Sequence, residues 1–99
     1  MNIPELASLR QQIDAIDEEL VELLSRRFTV TDRVGHLKSM HGLDAVDEVR
    51  EAEQVQHLRT LATRYGVNAE LVSRIFRTVV EQVVLNHQVI AASANPAND

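Results

Sequence analysis

Two cationic side chains, Arg27 and Lys38, lie within a stretch of sequence that is patterned as the apolar face of a helix. Apolar residues recur there at alternating steps of three and four, and Arg27 occupies one of those steps. The stripe consists of Leu6, Leu9, Ile13, Ile16, Leu20, Leu23, Arg27, Val30, Val34 and Leu37. Because a guanidinium keeps its charge and is costly to bury unpaired, Arg27 indicates a buried carboxylate, a buried ligand or a disturbed stripe.

Lys38 follows Arg27 by three helical turns, so both side chains project from nearly the same side, about 16 Å apart along the axis. Two long cationic side chains that lean toward each other could hold opposite ends of a small dianion in a water-poor pocket. Each has a structural alternative. Arg27 could form an internal salt bridge, and Lys38 could be solvated or contact the carbonyl groups at a helix end.

Arg10 precedes Arg27 by about 25 Å along the same helix and points about 100° away from it. One chain therefore cannot bring both arginines to one small ligand. In an antiparallel dimer the first turns of one helix reach the middle of its partner, so Arg10 could complete the partner's site. The alternative is a solvated Arg10.

His87 continues the series Phe76, Val80 and Val83 at helical spacing, which predicts an inward face. A histidine on such a face is either a core residue or a hydrogen-bond donor to a ligand. Gly35 costs a helix about 1 kcal/mol relative to alanine, which indicates a close helix approach or room for something bound.

Asp47, Arg50 and Glu51 cluster where a second helix should begin. Carboxylates at that end cap the helix and interact favourably with its dipole. The alternative is that this cluster recognises a hydroxyl group of a ligand or supports a buried arginine.

Three helical segments position these residues, which predicts an all-α fold with one domain over residues 1–90. The predicted bounds are Pro4–His41 before Gly42, then Asp44 or Asp47 to Tyr65 before Gly66, then a helix from Asn68 as N-cap to Ile90. Residues 91–99 have little to bury and are expected to fray.

The first predicted helix is too long for a single small globule to cover. Roughly 37 residues span about 55 Å, whereas a compact chain of this length has a radius of gyration of about 13 Å. The stripe must therefore pack against another chain as well as the later helices, and an intertwined homodimer is the simplest arrangement.

Composition excludes several classes of protein. A net charge of −5 with only three aromatic residues argues against nucleic-acid binding. The chain has no cysteine, and its four histidines lack the spacing typical of zinc sites, so no metal is expected. No targeting segment or long apolar run is apparent, which predicts a cytoplasmic protein without membrane contact.

The order and spacing of these residues resemble the all-helical chorismate mutase family over nearly all of residues 6–90. The matching elements are Leu9-Arg10-x-x-Ile13-Asp14-x-x-Asp17-x-x-Leu20, Leu23-Leu24-x-Arg26-Arg27, Val34-Gly35-x-x-Lys38 and Asp47-x-x-Arg50-Glu51. The family fold is an intertwined dimer of three-helix chains with two composite sites, so the resemblance implies the same homodimer here.

The resemblance also implies roles for the cationic residues. Arg10 matches the arginine that the partner chain donates to a substrate carboxylate, and Arg27 matches the arginine that binds a carboxylate within the subunit. Lys38 matches the lysine shared between a carboxylate and the ether oxygen of the substrate.

Further positions match the wall of the family site with two departures. Asp47 and Glu51 match acidic positions near the ring hydroxyl, and Arg50 matches a neighbouring arginine. Val83 stands where the familiar bacterial pattern often has serine. His87 stands where a glutamine, or in some members a glutamate, faces the ether oxygen.

The resemblance implies the rearrangement of chorismate to prephenate, a pericyclic reaction that needs no nucleophile, proton transfer or cofactor. The protein fixes a reactive conformer and stabilises the negative charge that develops on the ether oxygen, where Lys38 and His87 would donate. We expect activity to change with pH as His87 titrates. Isochorismate pyruvate lyase and a mutase of an amino analogue of chorismate stay open, as does a non-catalytic helical dimer or effector-binding module.

Overall fold

The computed structural model describes residues 3–93 of the chain. Its helices are α1 (Pro4–Met40), α2 (Glu48–Tyr65) and α3 (Ala69–Ser93), and the described residues contain no strand. The predicted all-α fold with a very long first helix is therefore confirmed. Helix α3 continues three residues past the predicted boundary at 90, and the rest of the predicted tail, residues 94–99, lies outside the described residues.

Glycines end α1 and α2 through the same hydrogen-bonding pattern. Gly42 and Gly66 have φ angles of +65° and +68°, in the left-handed region that favours glycine. After α1, the Leu43 N–H donates to the Lys38 carbonyl at 2.8 Å, and after α2 the Val67 N–H donates to the Ala62 carbonyl at 2.9 Å. Both ends are Schellman motifs, so the two predicted C-caps are confirmed.

Side-chain caps begin α2 and α3. Asp47 Oδ1 accepts the Arg50 backbone N–H at 3.0 Å, and Asn68 Oδ1 accepts the Leu71 backbone N–H at 3.1 Å. Each bond satisfies a backbone donor that the first helical turn leaves without a partner. The N-cap predicted at Asn68 is confirmed, and Asp47 rather than Asp44 caps α2.

The chain divides into two compact units, Met1–Thr31 and Asp32–Asp99. The described part of the first unit is a stretch of α1 with its apolar stripe exposed to solvent. Ile13 is 54% exposed and Leu20 is 55% exposed. The described part of this unit is one helix and includes no second element that could cover the stripe, so the stripe is exposed.

The second unit contains the last turns of α1 and the hairpin of α2 and α3. Its buried apolar side chains are Leu58 and Ala62 from α2 and Val79 from α3. His87 from α3 and Gly35 from α1 are buried as well. This small core connects all three helices, and it includes one of the residues that the sequence selects for chemistry.

A membrane-spanning segment would need a long and strongly apolar helix. None of the helices among residues 3–93 meets that requirement.

Candidate active site

The predicted site residues belong to both units of the chain. In the first unit Arg10 is exposed and Arg27 is half-buried. The second unit contains Lys38, Asp47, Arg50, Glu51, Val83 and His87.

Lys38 is half-buried in the last turn of α1, where its ammonium group bonds to the connection that follows the helix. Its Nζ donates to the carbonyl oxygen of Ala45 at 3.2 Å. An ammonium has three N–H donors, so this bond fixes the direction of the side chain and leaves donors for an anion. The contact ties the end of α1 to the segment that leads into α2.

Asp47 and Arg50 lie at the N-terminus of α2 and are both exposed. The hydrogen bond from the Arg50 backbone N–H to Asp47 Oδ1 confirms the structural interpretation of Asp47 as a helix cap. A carboxylate has a second oxygen, so capping and recognition of a hydroxyl group are compatible. The Arg50 guanidinium is on the first turn of α2, at the end of the helix where its dipole favours anions.

His87 is only 4% exposed and packs against Gly35 of α1. The close helix approach that the sequence predicts at Gly35 is therefore confirmed. Because the ring lies in the core of the second unit, His87 has a structural role whatever its role toward a ligand.

A cleft of about 670 Å³ opens between α2 and α3. Glu51 is the one predicted site residue that lines it. The apolar part of its wall comprises Val55, Leu58, Phe76, Val80, Val84 and Leu85. Such a cleft between two helices, with an apolar wall and a polar rim, has the character of a small-molecule site.

Residues of helix α3 contact both the cleft and helix α1. Phe76, Val80 and Val84 line the cleft, whereas His87 contacts α1. Consecutive helical residues differ by about 100° in direction, so Val83 and His87 are each rotated by that angle from Val84 and Gln88. Phe76, Val80, Val83 and His87 nevertheless point within about 60° of one another, so the sequence series is one face. Val80 on this face lines the cleft, whereas His87, two turns further along, contacts α1.

Sequence reasoning missed most of the polar residues of the cleft. They are Gln54, Arg59, Glu70, Ser73, Arg77, Glu81 and Gln88. The available signal was the i, i+4 series Phe76, Val80, Val84 and Gln88, which defines the cleft side of α3. Of the missed residues, Ser73 has an Oγ atom that is shielded from solvent and has no hydrogen-bond partner among the described residues.

An ion pair closes one part of the rim. Arg59 Nη2 donates to Glu70 Oε1 at 2.6 Å. The hydrogen bond from Arg59, and then its positive charge, hold the pKa of the Glu70 carboxyl below its usual range. Both side chains are exposed, so solvent screening limits what this pair adds to stability.

The charges around the cleft do not by themselves favour a dianion. Three carboxylates, from Glu51, Glu70 and Glu81, face two guanidinium groups, from Arg59 and Arg77. A dicarboxylate ligand in this cleft would therefore need further cations.

The described residues contain no group of three histidine, aspartate or glutamate side chains placed to hold a metal ion.

The chain is similar in sequence to a known protein family and to several known proteins. The family model named Chorismate mutase type II matches residues 9–88. The T-protein of Haemophilus influenzae is 32% identical over 81 residues, which are 82% of this chain and 22% of that protein. A bifunctional chorismate mutase/prephenate dehydratase of Escherichia coli is 32% identical over 85 residues, which are 86% of this chain and 22% of that protein.

A relative of similar size also matches. The chorismate mutase of Methanocaldococcus jannaschii is 28% identical over 79 residues, which are 80% of each chain. By contrast, this chain spans only about a fifth of the length of the T-protein and of the bifunctional protein.

Fold and site together define an all-helical protein in which a long first helix precedes a helical hairpin with a polar-rimmed cleft. With a family model that matches 80 of its 99 residues, the chain belongs to the chorismate mutase type II family. The resemblance drawn from the sequence is confirmed.

Proposed function

We propose that this chain is a chorismate mutase, an isomerase that rearranges chorismate to prephenate in aromatic amino-acid biosynthesis. The observation that carries the proposal is the extent of the family match, residues 9–88, which includes every predicted site residue from Arg10 to His87. The relatives named chorismate mutase support the same reaction.

The proposed mechanism assigns binding to the arginines and charge stabilisation to Lys38 and His87. Arg27 and the partner's Arg10 bind the two carboxylates and hold the substrate in its reactive conformer. Lys38 and His87 donate hydrogen bonds to the ether oxygen as the C–O bond breaks. Because that oxygen gains negative charge only on the way to the transition state, these bonds lower the barrier.

The wall that faces the ring is assigned to α2 and α3. Asp47, Arg50 and Glu51 recognise the ring hydroxyl, and Val83 adds apolar surface. Glu51 supports this assignment because it lines the cleft between the two helices.

The proposed enzyme is a cytoplasmic homodimer with two composite sites. Two observations support a second chain. The apolar stripe of the first unit is exposed, and the α2–α3 cleft has fewer guanidinium groups than carboxylates along its rim. A partner helix that carries Arg10 would supply both apolar contact and positive charge.

The activity is tested by incubating the purified protein separately with chorismate and isochorismate and identifying the products. We expect prephenate from chorismate and no pyruvate from either substrate. Salicylate with pyruvate would assign a lyase instead, and turnover of neither substrate would contradict an enzymatic function and favour a binding module.

The composite site is tested by mixing Arg10→Ala with Arg27→Ala subunits. Either homodimer lacks an intact site, whereas half of the sites in the heterodimer are complete. We expect mixing to restore activity, and Arg33→Ala, a change at an exposed arginine of the same helix, is the control that should stay active without mixing. If subunits exchange but the Arg10→Ala and Arg27→Ala mixture stays inactive, the cross-chain role of Arg10 is wrong.

A further inference from the structure

Gly35 leaves no room for a side chain because the ring of His87 occupies the adjacent space. A Cβ atom at this position would lie 2.5 Å from Cδ2 and 3.1 Å from Nε2 of His87, and 3.0 Å from Cδ1 of Ile90. The first distance is about 0.9 Å short of the 3.4 Å at which ordinary van der Waals contact begins. Any larger residue must therefore displace the ring.

Backbone conformation does not explain this glycine. Gly42 and Gly66 have positive φ angles, whereas Gly35 is within α1 and does not. Alanine is the better helix former, so α1 would gain from alanine at this position if the neighbouring helix allowed it. The glycine is thus explained by its contact with α3.

We propose that Gly35 is a positioning residue for His87 and sets where the imidazole stands in the active site. This inference rests on the proposed function, in which His87 donates to the ether oxygen. The edge of the ring with Cδ2 and Nε2 rests against Gly35, and the core of the second unit surrounds the rest of the side chain. A ring held in this way is oriented before substrate binds, which is what a donor to a developing charge requires.

The displacement that alanine would impose is large on the scale of catalysis. A misplacement of about 1 Å can lower a rate about 10²-fold even when the altered residue does not touch the substrate. We therefore expect Gly35→Ala to lower kcat by about 10²-fold. Its KM should change much less, because the carboxylate-binding arginines are on other parts of the chain.

The contact itself is tested by thermal unfolding, without reference to activity. With His87 present, Gly35→Ala should lower Tm because of the clash. With His87→Ala, the clash with the ring is gone and only the end of the Ile90 side chain, at 3.0 Å, has to shift slightly. The same substitution should then raise Tm by up to about 4–8 °C, since alanine is the better helix former. His87→Ser serves as the second background if His87→Ala does not fold. Arg33→Ala, an exposed change on the same helix, should give the same small shift in every background.

The positioning role is tested by kinetics on the same variants. Gly35→Ala should lower kcat when His87 is present and add nothing to the loss caused by His87→Ala. An equal loss in both backgrounds, or a Gly35→Ala enzyme with wild-type kcat, would overturn the inference while leaving an active mutase. A wild-type protein without turnover would refute the proposed function itself. A Tm change of the same sign in both backgrounds would refute the steric contact.

Discussion

Truncating Leu20 should weaken the proposed homodimer. Leu20 belongs to the apolar stripe of the first unit and is 55% exposed in the single chain. Because the stripe recurs at steps of three and four, Leu20 faces the same way as Ile13 and Ile16. Leu20→Ala removes apolar surface from this stripe without adding charge or altering the helix, since alanine is a good helix former.

The magnitude follows from the exposed fraction of the side chain. Replacing a fully buried leucine by alanine costs about 2–5 kcal/mol, and roughly half of the Leu20 side chain is available to a partner. Each substitution should therefore cost about 1–2.5 kcal/mol. A two-fold dimer contains the change twice, which gives about 2–5 kcal/mol and a Kd weaker by about 30- to 5,000-fold.

Sedimentation velocity over a range of protein concentrations measures this change directly, with mutase activity per chain followed in parallel. Val89→Ala is the matched control, because Val89 is an aliphatic residue of α3 that is 66% exposed and lies outside the stripe. We expect only Leu20→Ala to shift the dimer dissociation to higher concentration. A wild-type chain that stays monomeric, or a Leu20→Ala chain that associates as well as Val89→Ala, would refute the reasoning.

Three further outcomes are expected. Lys38→Ala should lower kcat by about 10²- to 10³-fold in steady-state assays, since a donor to the developing charge is lost. Asp47→Ser should keep the N-cap and the Tm, whereas Asp47→Ala should destabilise the chain by about 1 kcal/mol. Because the serine variant keeps the cap, any activity that it loses would be due to lost recognition of the ligand. Glu70→Gln should lower Tm slightly at neutral pH, and the difference should vanish on acidification. The lowered pKa of Glu70 means that its carboxylate stabilises the fold at pH values above the usual glutamate pKa of about 4.3. That stabilisation is lost as the pH falls through the pKa of Glu70 in the folded state.

Much of the fold follows from local rules that leave clear marks in the sequence. Helical periodicity sets the extent of α1, and Gly42 and Gly66 end their helices because only the left-handed conformation closes a Schellman motif there. Asn68 begins α3 by the equally local rule of side-chain capping. The choice between Asp44 and Asp47 was not decided by the sequence, since either can accept the same hydrogen bond.

The arrangement of the site depends on contacts between helices, which periodicity does not determine. Alternation by three or four residues leaves the direction of a broad apolar helix uncertain by about one residue. It also does not determine which neighbour each residue of a face contacts: Val80 lines the cleft, whereas His87, two turns further along the same face, packs on Gly35. The bond from Lys38 to the Ala45 carbonyl likewise depends on the path of a connection that has no periodic signal.

Residues proposed for chemistry also hold the second unit together, and this overlap determines how the variants must be measured. Asp47 caps α2, Lys38 ties the end of α1 to the following connection, and His87 is part of the core. Substituting any of them removes a structural contact and a proposed ligand contact at once, so a lower bulk activity has two possible causes. The two causes separate when kcat is expressed per folded dimer, because loss of fold reduces the number of sites whereas loss of a donor reduces the rate at each site.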